Sequence, residues 1–126
     1  MSILYGAGAL IAADRDDRSI WTFHIRLVKR HETPVTTAGV VAQVSRSTRQ
    51  VLLRRFLEGC ELVDLRASDA HFVGQLLART NTSDIVDAHV ALVASSRRLA
   101  VLTSDVVDLR RLAGATETGF AVHAIH

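Results

Sequence analysis

One hexapeptide pattern occurs twice in this chain, as Thr82-Ser83-Asp84-Ile85-Val86-Asp87 and as Thr103-Ser104-Asp105-Val106-Val107-Asp108. Each copy sets two carboxylates three residues apart at the opening of a helix-forming run, so that on a helix both members of a pair share a face. A single copy is ordinary capping chemistry. Thr, Ser and Asp satisfy the free N–H groups of a helix start, and acids in the first turn complement its partial positive charge. Two copies joined by an apolar helix (Ala88 to Ala94) and a short β-type run (Leu99 to Leu102) carry more information, because a parallel α/β sheet gathers strand ends and helix starts at its carboxyl edge. Four carboxylates crowded there repel one another unless a cation holds them. A hard divalent ion that takes oxygen ligands, Mg²⁺ or Mn²⁺, answers that need.

The rest of the composition narrows the setting. A length of 126 residues, 48% of them apolar, predicts one ordered globular domain over residues 1–126. Cys60 is the only cysteine, which excludes an intrachain disulfide framework, fits a reducing cytoplasm and reads as a packed thiol. The apolar start, Ile3 through Ala13, lacks a basic lead-in and runs into Asp14-Arg15-Asp16-Asp17, so it is read as strand and helix and not as a signal peptide. No run reaches the roughly 18 apolar residues of a membrane span. The net charge is +2, yet Lys29 is the only lysine. The arginines suit phosphate or carboxylate partners, and Arg46, Arg49, Arg54 and Arg55 are either a solvated face or part of a phosphate-binding rim.

The elements that must position these groups alternate. Ser2 to Tyr5 reads as a first strand, Gly6-Ala7-Gly8-Ala9 as a tight turn of small residues, and Leu10 to Ala13 as a short helix. The Gly-x-Gly is not a dinucleotide fingerprint, since Ile11 replaces the third glycine and no suitable acid follows. Asp16 and Asp17 cap a helix from Ser19 to His31, which Glu32-Thr33-Pro34 ends. Val35 and Thr36 form a strand. Thr37 caps a helix from Ala38 to Arg46 with Val40, Val41 and Val44 inward, and Thr48 caps the next, which closes at Glu58-Gly59. Glu61 to Leu65 alternates as a half-buried strand, and a helix from Ser68 and Asp69 runs through Arg79. Then follow helix Asp84–Ser96, strand Ala100–Thr103, helix Asp105–Leu112 and strand Phe120–Ile125. Strand-helix alternation throughout predicts a parallel sheet with helices on both faces. His24, His31, His71, His89, His123 and His126 lack metal-ligand spacing and read as surface or partly packed groups, His89 pointing away from the acids. No serine-nucleophile elbow is present.

The small-residue turn after strand one, the Val40-Val41-Ala42-Gln43-Val44 helix, the Thr82-to-Ala88 helix start and the Leu102-Thr103-Ser104-Asp105 strand end together resemble the PIN domain, and more narrowly the VapC-type ribonuclease toxins. The resemblance spans nearly the whole chain. It implies a three-layer α/β/α fold around a mainly parallel sheet, an acidic pocket that binds Mg²⁺ or Mn²⁺, RNA cleavage, a small antitoxin partner and a homodimer. It assigns catalytic and metal-binding roles to Asp87, Asp105 and Asp84, with Asp108 a neighbouring ligand. The resemblance also locates two departures. Gly6 stands where the family carries its first aspartate, and Gln43 where it carries a second acid, usually glutamate. Glycine offers no ligand, whereas Gln43 keeps an amide oxygen able to coordinate weakly.

Three functions therefore compete: a metal-dependent endoribonuclease weakened by the two departures, a degenerate PIN domain that binds antitoxin or RNA without cutting, and a receiver-like signalling domain. The last ranks lowest, because neither the acids after strand one nor the late lysine that such a domain needs is present.

Overall fold

The computed structural model describes residues 2–125, and the expectation for His126 lies outside them. Five strands form one sheet in the order β3-β2-β1-β4-β5, every neighbouring pair parallel. The strands are β1 (Ile3–Tyr5), β2 (Val35–Thr37), β3 (Glu61–Val63), β4 (Ala100–Thr103) and β5 (Val122–Ala124). Seven helices connect them: α1 (Ala7–Asp14), α2 (Arg18–Lys29), α3 (Ala38–Val44), α4 (Val51–Glu58), α5 (Ala70–Thr80), α6 (Ile85–Arg97) and α7 (Val106–Ala115), with a 3-10 turn at Ala67–Asp69 before α5. The sheet grows from β1 through β2 to β3 and then returns to β4 on the other side of β1. Right-handed crossovers consequently place α1 to α4 on one face and α5 to α7 on the other. None of the helices among the described residues is long and apolar enough to cross a membrane.

Local chemistry explains most boundaries. All three residues of β1 are buried, the continuous apolar run expected of a central parallel strand. Asp17 Oδ1 accepts the Ile20 N–H (3.2 Å) at the start of α2, and Thr37 Oγ1 accepts the Val40 N–H (3.2 Å) at the start of α3. In α2 the buried residues Ile20, His24 and Leu27 recur at helical spacing. α6 buries Ala88 through Ala91 together with Val93 and Ala94, so it is held by packing on nearly all sides.

On the α1-to-α4 face the core is aromatic. Phe56 is fully buried, stacks on His24 with centroids 3.9 Å apart, and meets Tyr5 at 5.0 Å and Trp21 at 5.2 Å. Tyr5 Oη and His24 Nδ1 share a hydrogen bond of 3.0 Å. Cys60 is a packed thiol, its Sγ 3.5 Å from the Phe56 carbonyl and its pKa pushed up to about 12 by burial.

Several expectations need correction. His24 and His89 are buried, where the sequence read them as surface or partly packed groups. Each is a polar group on an otherwise apolar helix face, and spacing alone does not separate a packed imidazole from a solvated one. Gln50, not Thr48, precedes α4. Its Oε1 accepts the N–H groups of Arg46 and Ser47 while its Nε2 donates to Asp14 Oδ2 and the Val44 carbonyl. β3 is shorter than the predicted Glu61 to Leu65 and is mostly exposed, because it is an edge strand whose Leu62 lies open to solvent. β5 covers only Val122–Ala124, α1 starts at Ala7, and Asp16 is not a first-turn acid but holds a left-handed φ of 59° before α2.

Two measurements check this core. Phe56→Ala should cost about 3–5 kcal/mol in chemical denaturation. Burial also holds the His24 pKa below its usual value. A histidine depressed in the folded state contributes stability above its unfolded pKa of about 6.5 and loses it as pH falls, so the acid limb of stability against pH should be shallower in His24→Gln than in the parent.

Candidate metal centre

The reversal of strand order falls between β1 and β4, which are paired in register: Ile3 with Ala100, Leu4 with Val101 and Tyr5 with Leu102. Beyond the carboxyl ends of two such strands the connecting chains diverge and leave a crevice. Here it is a cavity of ≈ 170 Å³ with an apolar lining of Val40, Val90, Val101 and Leu109. Asp84, Asp87 and Asp105 line it with Gly6, Gly8, Gln43, Thr103 and Ser104. Both hexapeptides therefore supply the same hollow.

The two copies are used differently. Asp84 is the N-cap of α6, its Oδ1 accepting the Asp87 N–H at 3.0 Å. In the second copy no side chain caps the helix; instead Thr103, the last residue of β4, accepts the N–H of Asp105, the residue before α7, on its Oγ1 at 3.0 Å. Asp105 makes no side-chain cap of its own, so its carboxylate is left for the cavity. Oxygens of Asp87, Asp105 and Asp108 all lie within 4.8 Å of one another. Asp108 also has an exposed ion pair, 3.9 Å from Arg111. Among the expected ligands, geometry thus groups Asp87, Asp105 and Asp108 most tightly, and Asp84 serves the cavity while bonded to backbone.

Electrostatics mark Asp87 as the strained member. Its pKa is pushed up to about 7, first by burial and then by the negative charges of Asp84, Asp105 and Asp108. A carboxyl raised in the folded state contributes stability that is full near the unfolded value of about 4 and is lost as pH rises through 7. A cation reverses that balance. Ligand oxygens on a small hard ion with bonds of about 2.1 Å stand roughly 3 to 4 Å apart, so small side-chain rotations bring this trio onto one ion. The donor set and the uncompensated charge both fit a divalent cation.

Gly6 and Gln43 lie where the sequence placed them, lining the cavity, Gly6 buried and Gln43 exposed on α3. Gly6 donates its N–H to the Leu102 carbonyl (2.9 Å) with φ −80° and ψ 180°, a conformation open to any residue. Space is the tighter limit. A Cβ there would stand 3.2 Å from Thr103 Oγ1 and 3.3 Å from Thr103 Cβ, so a side chain at this position presses on the residue that orients Asp105. Sequence reasoning missed Gly8 and Thr103 as parts of the site. At Gly8 a Cβ would lie 2.4 Å from Ser104 Oγ and 2.8 Å from Ser104 Cβ. The Gly-x-Gly after β1 was the available signal, because it is the close approach of α1 to the β4–α7 connection that requires the second glycine.

No family model and no curated relative matches the chain by sequence. Solved structures do. A chain of the VapBC2 assembly of Rickettsia felis, bound to a DNA fragment from their promoter, superposes with a TM-score of 0.72 at 17% identity over 100% of both chains. PAE2754 of Pyrobaculum aerophilum does so with a TM-score of 0.64 at 17% identity, over 96% of this chain and 89% of that one.

Carboxyl-resolved NMR titration without divalent ions should find Asp87 near pH 7. Asp84→Asn keeps an oxygen for the Asp87 N–H and should lower that midpoint by about one unit, more than Asp105→Asn does. What the solved structures share with this chain is its architecture, so the conclusion they support is that it has the VapC-like PIN fold.

Proposed function

We propose that this protein is a divalent-metal-dependent endoribonuclease of the VapC kind, the toxin of a toxin–antitoxin pair, working in the cytoplasm as a dimer. The observation that carries the proposal is the meeting of Asp87, Asp105 and Asp108 oxygens within 4.8 Å at the sheet's switch point. In this proposal Asp87, Asp105 and Asp108 hold Mg²⁺ or Mn²⁺, with Asp84 supporting them. The ion, when bound, would lower the pKa of water and neutralise charge that builds on the phosphate. The chain's own residues do the rest. Thr103 and Asp84 fix the backbone on which the carboxylates stand, and Gln43 orients water or a phosphate oxygen through its amide. The VapBC pairing in the Rickettsia felis structure supports an antitoxin partner; in this proposal that partner is small and its tail covers the pocket.

One observation favours the second reading, a PIN-like domain that binds RNA or antitoxin without cutting. Gly6 contributes no carboxylate, and Thr103 already occupies the neighbouring space. With one ligand missing and another reduced to an amide, the proposal is for weak metal binding and slow turnover.

Incubating the protein with structured RNA and Mn²⁺ separates the two readings. Cleavage that Asp105→Ala lowers by at least roughly 100-fold supports the enzyme, and intact RNA with retained binding supports the second reading. Calorimetric Mn²⁺ titration of Gly6→Asp should show tighter binding than the parent. Unchanged affinity in a folded variant would count against the assignment of that position.

A further inference from the structure

Resting on the nuclease reading, we infer that the groove between α1 and α3 is a track for the RNA phosphodiester backbone, leading from the acidic pocket past Gln43 to Arg15 and Arg46. A second cavity, ≈ 420 Å³, lies beside the first and is lined by Ile11, Asp14, Arg15, Gln43, Arg46 and Gln50 among others. Gln43 lines both, so the two hollows adjoin at this residue. The same helix serves both ends: Ala7 and Gly8 of α1 line the acidic pocket, while Asp14 and the C-cap Arg15 line the second cavity. An eight-residue helix is about 12 Å long at 1.5 Å per residue. That distance is long enough for more than one phosphate of a nucleic-acid strand, whose axial rise in a stacked duplex is about 3.4 Å per nucleotide and greater when extended.

The charges along this path are ordered. Four aspartates repel a polyanion, so a phosphate brought among them needs its neighbours held by cations outside the pocket. Among the described residues no carboxylate lies within ion-pairing distance of Arg15 or Arg46. Arg46 Nη1 donates to the Ala42 and Ser45 carbonyls (3.4 and 3.1 Å), which fixes the guanidinium at the end of α3 and leaves its other donors for a phosphate oxygen. Asp14, the acid of this wall, accepts from Gln50 Nε2 at 3.0 Å. At the junction Gln43 offers N–H donors where a carboxylate would repel a passing phosphate. The neutral residue that weakens the metal centre thereby opens the way between the two hollows. An acidic peptide would also suit the arginines, but it has no group to place among the aspartates, whereas RNA presents a phosphate at both ends of α1.

The test is fluorescence anisotropy with a labelled single-stranded RNA of roughly 12 nucleotides in Ca²⁺ buffer, with cleavage in Mn²⁺ followed in parallel. Arg15→Ala/Arg46→Ala should bind about tenfold more weakly, and its slope of log affinity against log salt should fall by about 1.4, two phosphate contacts at about 0.7 each. Lys29→Ala, in the last turn of α2 and lining neither cavity, should match the parent. A parent that binds and cleaves RNA while the arginine variant binds it equally well overturns the track and leaves the nuclease reading standing. If the parent neither binds nor cleaves, both fall. Arginine substitutions that weaken binding of a polyglutamate peptide but not of RNA overturn the track in favour of an acidic protein segment.

Discussion

Like charges at short range are the constraint on which this structure turns. Asp84, Asp87, Asp105 and Asp108 repel one another, and for the half-buried Asp87 partial burial adds to the cost of holding a charge. The aspartates stay together because their backbones are fixed by things they do not control. β1 and β4 are locked side by side in the centre of the sheet, and α6 is buried among its neighbours along most of its length. Packing supplies the force that holds the acids, and the acids supply an electrostatic deficit that only a cation or a proton relieves. The raised pKa of Asp87 is the local record of that opposition.

The same constraint gives meaning to the uncharged positions around the cluster. Thr103 holds the Asp105 backbone through its N–H, and the Asp105 side chain caps nothing, so a residue type that usually ends up bonded to backbone keeps its carboxylate for the cavity. Gly8 allows α1 to approach Ser104, which closes the cavity on the β1 side. Gly6 and Gln43 lower the negative charge that the pocket would otherwise carry. Fewer carboxylates weaken the grip on a cation, and they also lower the repulsion that any anion meets there.

Far from the cavity, the aromatic layer of Tyr5, Trp21, His24 and Phe56 anchors β1 to α2 and α4. Since β1 ends one residue before Gly6, that layer sets the height of the strand end against Thr103. The core and the candidate site are thus joined through a single short strand.

Much of this was legible in the residues themselves. Strand-helix alternation gave the parallel sheet, the repeated hexapeptide gave the four acids, and the caps Asp17 and Thr37 were readable because capping depends only on neighbours within a turn. What depends on distant parts of the chain was not. Two identical Thr-Ser-Asp openings follow different backbones, one leaving a loop and one leaving a strand, so only the fold decided that Asp84 caps while Asp105 is free. Likewise, burial of His24 and His89, exposure of β3 and the meeting of Arg15 with Arg46 across Gln43 arise from which elements become neighbours. Local sequence fixes local hydrogen bonds and periodicity, whereas the sharing of a cavity by residues tens of positions apart is settled when the sheet closes around its central strands.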